Sequence, residues 1–443
     1  MGAVSFLRAR IPHVGRREYR VLDAPVRNKN VNTSQKTTPA SIVAACLIFV
    51  AAVHATPVQA HNASMKMYDS PYYKVYTDLD RDQAREAVLR MTRMAEEYNA
   101  RTQAFFSGTI KQKLPFYLFS KAQDYYAAGG PTGSAGVFMV AGGEGKLMAI
   151  ADTSRDGTAG GFTWHTIQHE GFHQFVHYVV RGDIPIWVNE GLAEYFGEGV
   201  FTGDAMITGV VPQERGARIK QAIANGTFKS IEDMMLMSPS QWSDDLSTAN
   251  YDQAWSMCHF LAHGENGKYQ RAFAAFLQGI GRGQTWEKSW QATFGSVAGF
   301  EAKWKQYWMN LADDPTAALY AKATVATLTN FLSRAASRKQ TFENFDAFIK
   351  TDSSALKQNE TDWLPPTLYR DAVTSVERLK DRGYVFALVP GKNKQPTLLC
   401  TMPDGQKLTG AFRLTGVRLA SAGAVTVEVS KPMPVKPAAA KRK

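Results

Sequence analysis

His165-Thr166-Ile167-Gln168-His169-Glu170-Gly171-Phe172-His173 and, after a short gap, Pro185-Ile186-Trp187-Val188-Asn189-Glu190-Gly191-Leu192-Ala193-Glu194-Tyr195-Phe196 decide how this chain reads. Each residue of an α-helix turns by about 100°, so residues four apart lie nearly one above the other, about 6 Å along the axis. His169 and His173 therefore face the same way and can share one metal ion. Glu170 is rotated to the side, where its carboxylate reaches a water on that ion more easily than the ion itself. An H-E-x-x-H helix thus pairs two histidine ligands with a general base. Zinc bound this way needs a third protein ligand and one open position for water.

The third ligand has to come from the returning chain. Gly182 offers a helix stop and Pro185 resists continuation, so the first helix should end near Arg181. Asn189 reads as the N-cap of a second short helix reaching Phe196, with Gly197 as its exit. Glu190 then falls in that helix's first turn and is the candidate third ligand. Glu194, one turn further on the same face, is placed to accept the free ring N–H of a ligand histidine. His165 and His177 extend the ladder by one turn at either end. Each step drifts by about 40°, so only a neighbouring pair converges on one ion, and the outer two read as hydrogen-bonded structural histidines.

The two segments resemble the gluzincins, zinc peptidases whose third ligand is a glutamate on the next helix. They are particularly similar to the bacterial peptidase-MA-like group, related to the catalytic domains of aminopeptidase N and thermolysin. The resemblance covers roughly residues 70 to 310, with a gap between His173 and Glu190 slightly shorter than in those relatives. It implies a zincin-like domain, one Zn2+ per chain on His169, His173 and Glu190, Glu170 as base and proton shuttle, and Glu194 as the carboxylate behind a ligand histidine. It also implies a peptide or protein substrate, which the hairpin before the metal helix could dock by strand addition; plain core sheet is the other reading of that hairpin. Tyr251, at the head of a later helix, reads either as the oxyanion donor that relatives place in this region or as ordinary core packing. The implied activity is zinc-dependent peptide-bond hydrolysis. The alternatives are a non-catalytic, metal-stabilised envelope binding protein and a metal-dependent hydrolase of a non-peptide amide.

The rest of the chain frames this centre. Its 443 residues, 44% hydrophobic and 21% charged, have ordinary globular composition. The net charge of +11 is concentrated at the ends. Arg8 to Lys36 make the leader basic, Lys431 to Lys443 make the tail basic, and the body between carries as many acids as bases. No nucleic-acid face is implied. The apolar run Ala40–Val53 has signal-peptide length, and Val58-Gln59-Ala60 fits a cleavage site. The expectation is export to the periplasm or medium, with an N-terminal membrane anchor as the alternative if the leader is not cleaved. Cys46 lies in that run, which leaves Cys258 and Cys400 as either one disulfide or two buried thiols.

Fold class is α+β. Residues 1–60 form the basic leader and export signal, and 61–204 a zincin-like α/β subdomain. Within it Tyr72–Tyr76 and Leu114–Phe119 read as strands, Arg81–Phe106 as an amphipathic helix, and Gly136–Val140 with Lys146–Ala151 as a hairpin. Residues 205–312 form a helical subdomain, in which His259 and His263 read as core histidines rather than a metal pair. A helical extension occupies 313–382, a small β unit 383–431, and a disordered basic tail 432–443.

Overall fold

The computed structural model describes residues 65–430 except 104, 106–107, 109, 142–143, 154–158, 181–183, 361, 392–394, 416–417 and 420–424. The expected leader at 1–60 and tail at 432–443 lie outside the described residues. The architecture is α+β: a small mixed sheet and its helices, then a helical layer, then a small C-terminal sheet.

The first layer begins with β1 (Lys66–Asp69), β2 (Tyr73–Thr77), α1 (Arg81–Thr102), β3 (Leu114–Phe119), α2 (Ala122–Ala127), β4 (Gly136–Ala141) and β5 (Glu144–Ile150). Its sheet runs in the order β1-β2-β3-β5-β4, with β2, β3 and β5 parallel and the two edge strands antiparallel to their neighbours. Alternation sets its faces: Tyr73, Val75 and Thr77 are buried while Lys74 is exposed. Asp80 caps α1 by accepting from the amides of Asp82 and Gln83, both at 2.9 Å. The stripe Ala84, Ala87, Met91, Met94 and Tyr98 then turns inward.

Helix α3 (Gly161–Val179) follows and is buried along almost its whole middle, from Thr163 to Val176, because it lies between the β4–β5 hairpin, α1 and α4 (Ile186–Gly197). Gly136 allows the hairpin to approach: a Cβ there would sit 2.6 Å from Thr166 Cγ2 and 3.3 Å from Glu170 Cγ. A short ladder of β6 (Val200–Phe201) and β7 (Met206–Ile207) leads to α5 (Gln213–Asn225), α6 (Ile231–Leu236), α7 (Pro239–Asp244), α8 (Thr248–Gly267), α9 (Gln270–Gly281), α10 (Trp286–Thr293) and α11 (Val297–Asn310). Helices α4 and α8 cross closely at Gly191, where a Cβ would lie 2.4 Å from the Ala254 carbonyl oxygen and 2.7 Å from Cys258 Sγ.

The C-terminal part comprises α12 (Ala317–Ser337), α13 (Phe345–Ile349), α14 (Pro366–Lys380), and strands β8 (Val385–Pro390), β9 (Pro396–Thr401), β10 (Lys407–Phe412), β11 (Leu414–Thr415), β12 (Arg418–Leu419) and β13 (Val425–Val429). Four of these strands form an antiparallel sheet, β13-β10-β9-β8, packed on α12. One hydrophobic core runs from Met94 and Phe172 through Trp187, Trp255 and Trp304 to Phe386 and Phe412. Cys258 and Cys400 are separate buried thiols. Among the described residues no helix is long and apolar enough to cross a membrane.

His259 and His263 sit in this core on α8. His259 Nε2 is 3.3 Å from the Gly209 carbonyl oxygen, and His263 Nε2 is 3.0 Å from the Tyr195 hydroxyl. Burial pushes His259 down to about 3, reinforced by His263, and pushes His263 down to about 4, reinforced by Arg101.

Two outcomes follow from this packing. Gly191→Ala should cost about 1–3 kcal/mol of stability in urea unfolding, because α4 and α8 must part to admit the methyl group; an unchanged midpoint would contradict the close crossing. Both histidines are held neutral, so their contribution is complete above the ordinary pKa of about 6.5 and is lost as pH falls from there toward 4. The steepest slope is about 1.4 kcal/mol per pH unit for each ring. His259→Gln should flatten acid unfolding in that window, and an identical pH profile would contradict it.

Candidate metal centre

Helix α3 brings His169 and His173 to one face, as the four-residue spacing requires, and α4 returns antiparallel beside it with Glu190 pointing in. His169 Nε2 lies 3.0 Å from His173 Nε2 and 3.3 Å from Glu190 Oε2, and His173 Nε2 lies 3.6 Å from that same oxygen. Four ligands around zinc at about 2.1 Å stand about 3.4 Å from each other, so these three separations match the edges of such a tetrahedron. All three side chains are buried.

The acceptors behind the rings fix which nitrogens converge. His169 Nδ1 lies 3.0 Å from Glu194 Oε1, and His173 Nδ1 lies 3.2 Å from Asn189 Oδ1. Both partners are acceptors, so each Nδ1 carries the proton and each Nε2 presents a lone pair. Two lone pairs and a carboxylate oxygen thus meet in a buried space, and Glu190 Oε2 has no hydrogen-bond donor. These three residues could hold a metal ion, which would satisfy all three atoms.

Asn189 is where the structure departs from the expected capping pattern. Helix α4 starts at Ile186 with Pro185 as its N-cap, so Asn189 lies inside the helix and Glu190 one residue beyond it, past the first turn. Proline presets its own φ and needs no amide partner, which lets the helix begin directly after it. Freed from capping, Asn189 turns to His173. Helix α3 ends at Val179, and the expected stop at Arg181 and Gly182 lies outside the described residues.

Glu170 is buried, next to His169 in the chain, and its Oε2 accepts the Phe138 amide of β4 at 2.8 Å. Its Oε1 is buried with no hydrogen-bond partner. Tyr251 stands in the first turn of α8, nearly buried, with its ring 6.2 Å from that of His169 and edge-on to Trp242.

Glu194 faces two ways. Its Oε2 lies 2.6 Å from Arg215 Nη1 and 3.4 Å from His165 Nε2. Burial alone would raise Glu194, but Arg215 with His165 outweighs it, so Glu194 lies well below the usual carboxylate range. His165 is a hydrogen-bonding neighbour of Glu194 and Glu198, not a third ring at the convergence point. His177 is exposed, against the Phe138 ring. Among the described residues His165, Glu194 and Glu198 form the other group of metal-ligand type, and the Arg215 guanidinium already pairs with both of its carboxylates.

Sequence reasoning missed Arg215 and the true role of Asn189. The first sits on a separate helix with no periodic relation to the motif. The second was visible as a polar residue directly before Glu190.

No curated protein matches this chain. A family model described as a protein of unknown function, DUF1570, matches residues 163–283. That span contains the three converging residues, Glu170, Glu194, Arg215 and Tyr251, and its description assigns no activity to them.

Proposed function

We propose that this chain is an exported zinc peptidase of gluzincin type with a zincin-like catalytic domain, cutting peptide bonds with a water activated beside Glu170. The observation that carries this reading is the convergence of His169 Nε2, His173 Nε2 and Glu190 Oε2 at 3.0 to 3.6 Å from one another, with a buried, half-satisfied carboxylate next to them. A zinc ion there would supply Lewis acidity to a carbonyl and lower the pKa of a water at its open position to about 7.

The chain's own residues divide the remaining work. Asn189 and Glu194 hold the two imidazoles in the tautomer that offers Nε2. Phe138 N–H pins one oxygen of Glu170, which leaves Oε1 to take a proton from the attacking water and deliver it to the leaving amine. Tyr251 is the candidate donor to the carbonyl oxygen as it gains charge.

A peptide substrate is favoured by the hairpin. β4 is an edge strand; the Phe138 amide on its side away from β5 is given to Glu170, and the main-chain groups of Gly136 and Val140 share that side of an antiparallel strand. An extended peptide can pair along that edge, directly beside Glu170. Export rests on the apolar run and cleavage pattern before residue 61.

Elemental analysis of the chain from His61 onward should give about one zinc per chain, retained in Glu170→Gln and lost in His169→Ala. On a peptide library the parent should cleave, and Glu170→Gln should lose about 10²-fold to 10⁴-fold or more in rate. A Glu170→Gln protein as active as its parent would overturn the assignment of the base.

A further inference from the structure

Arg215, on α5, is one of the most deeply buried arginines of the described chain and is enclosed by acids. Its Nη1 lies 2.6 Å from Glu194 Oε2 and 2.7 Å from Glu198 Oε1, its Nε lies 2.7 Å from Asp252 Oδ1, and its guanidinium covers the Trp255 ring at 4.8 Å. Asp252, on α8, is gripped in turn by Arg218 Nε at 2.6 Å and Nη2 at 3.1 Å. The side chain of Arg215 is 7% exposed. A cavity of about 290 Å³ opens nearby, lined by His165 and Glu198 but not by Arg215. Arg215 is therefore placed to hold protein groups, not to meet a ligand.

From this geometry we infer that Arg215 is a positioning residue for the metal centre, acting through Glu194; the inference rests on the metal reading above. Glu194 has two oxygens with two tasks. Arg215 fixes Oε2, and only then does Oε1 face the His169 Nδ1–H. Without that tether the carboxylate is free to turn away from Glu198 and toward His165, and His169 loses the acceptor that holds its ring and its tautomer. Lysine is no substitute, because one ammonium cannot present an Nη-type donor to two carboxylates while an Nε reaches a third on another helix. The line Arg218–Asp252–Arg215–Glu194–His169 spans α5, α8, α4 and α3. It makes metal affinity a property of the helical layer as well as of the motif.

The test is zinc affinity by chelator competition on the chain from His61 onward, for the parent, Arg215→Lys, Glu194→Gln and the double variant. The cobalt-substituted absorption spectrum and the unfolding midpoint of each metal-free protein are recorded alongside. Arg215→Lys should weaken zinc about 10-fold to 100-fold and shift the cobalt bands, Glu194→Gln should do the same, and the double variant should lose little more than either single one. Should Arg215→Lys fail to fold, Asp252→Asn leaves the guanidinium in place but cuts its tie to α8, and should lower affinity in the same direction. Losses that add in full in the double variant, or an unchanged affinity in both Arg215→Lys and Asp252→Asn with only the metal-free midpoint lowered, would overturn the inference. A parent chain that binds no zinc would overturn the metal reading on which it stands.

Discussion

Three acceptor atoms brought together in a buried interior are the constraint on which the rest of this structure depends. His169 Nε2, His173 Nε2 and Glu190 Oε2 lie 3.0 to 3.6 Å from one another, and the acceptors behind the two rings turn both Nε2 lone pairs inward. A cation held among them would relieve their mutual repulsion. The surrounding fold is arranged to hold it: α3 is buried along almost its whole middle, α4 is pressed against α8 at a glycine, and the hairpin passes over Glu170 at another glycine. Each contact fixes a backbone that carries a site residue.

The charges behind the cluster show how far that arrangement extends. Glu194, Glu198 and Asp252 come from two helices and surround a single guanidinium, with Arg218 and His165 at the margins. Buried ion networks of this kind add little net stability compared with apolar packing, but they fix orientation strongly because each member has few alternatives. Orientation is what a metal ligand needs. The same helical layer supplies the large buried tryptophans Trp187, Trp255, Trp290, Trp304 and Trp308, so the polar line to His169 is embedded in a rigid apolar wall.

What the sequence disclosed follows from the range of the interactions. The pairing of His169 with His173 is a matter of helical period, and the return of Glu190 needs only one turn and one short helix, so both are legible locally. The strands Tyr73–Thr77 and Leu114–Phe119 and the β4–β5 hairpin are legible from alternation, and the amphipathic α1 from its stripe. Asn189 was misread as a cap because Asn before a helical run is the usual signal, whereas Pro185 begins the helix and the amide side chain serves His173 instead. β1 escaped because Lys66–Asp69 is mostly exposed and shows no alternation. Arg215 escaped because its meaning depends on partners at 194, 198 and 252, which only the folded chain assembles. The C-terminal sheet was visible as strands, but its packing on α12 is a tertiary fact that no local pattern encodes.

The central claim is that one zinc ion sits among these three atoms. It is tested most directly by anomalous diffraction from crystals of the chain grown with one equivalent of zinc, with data on both sides of the zinc absorption edge. A single strong peak about 2.1 Å from each of His169 Nε2, His173 Nε2 and Glu190 Oε2 is expected. No peak there, or a peak among His165, Glu194 and Glu198 instead, would contradict it.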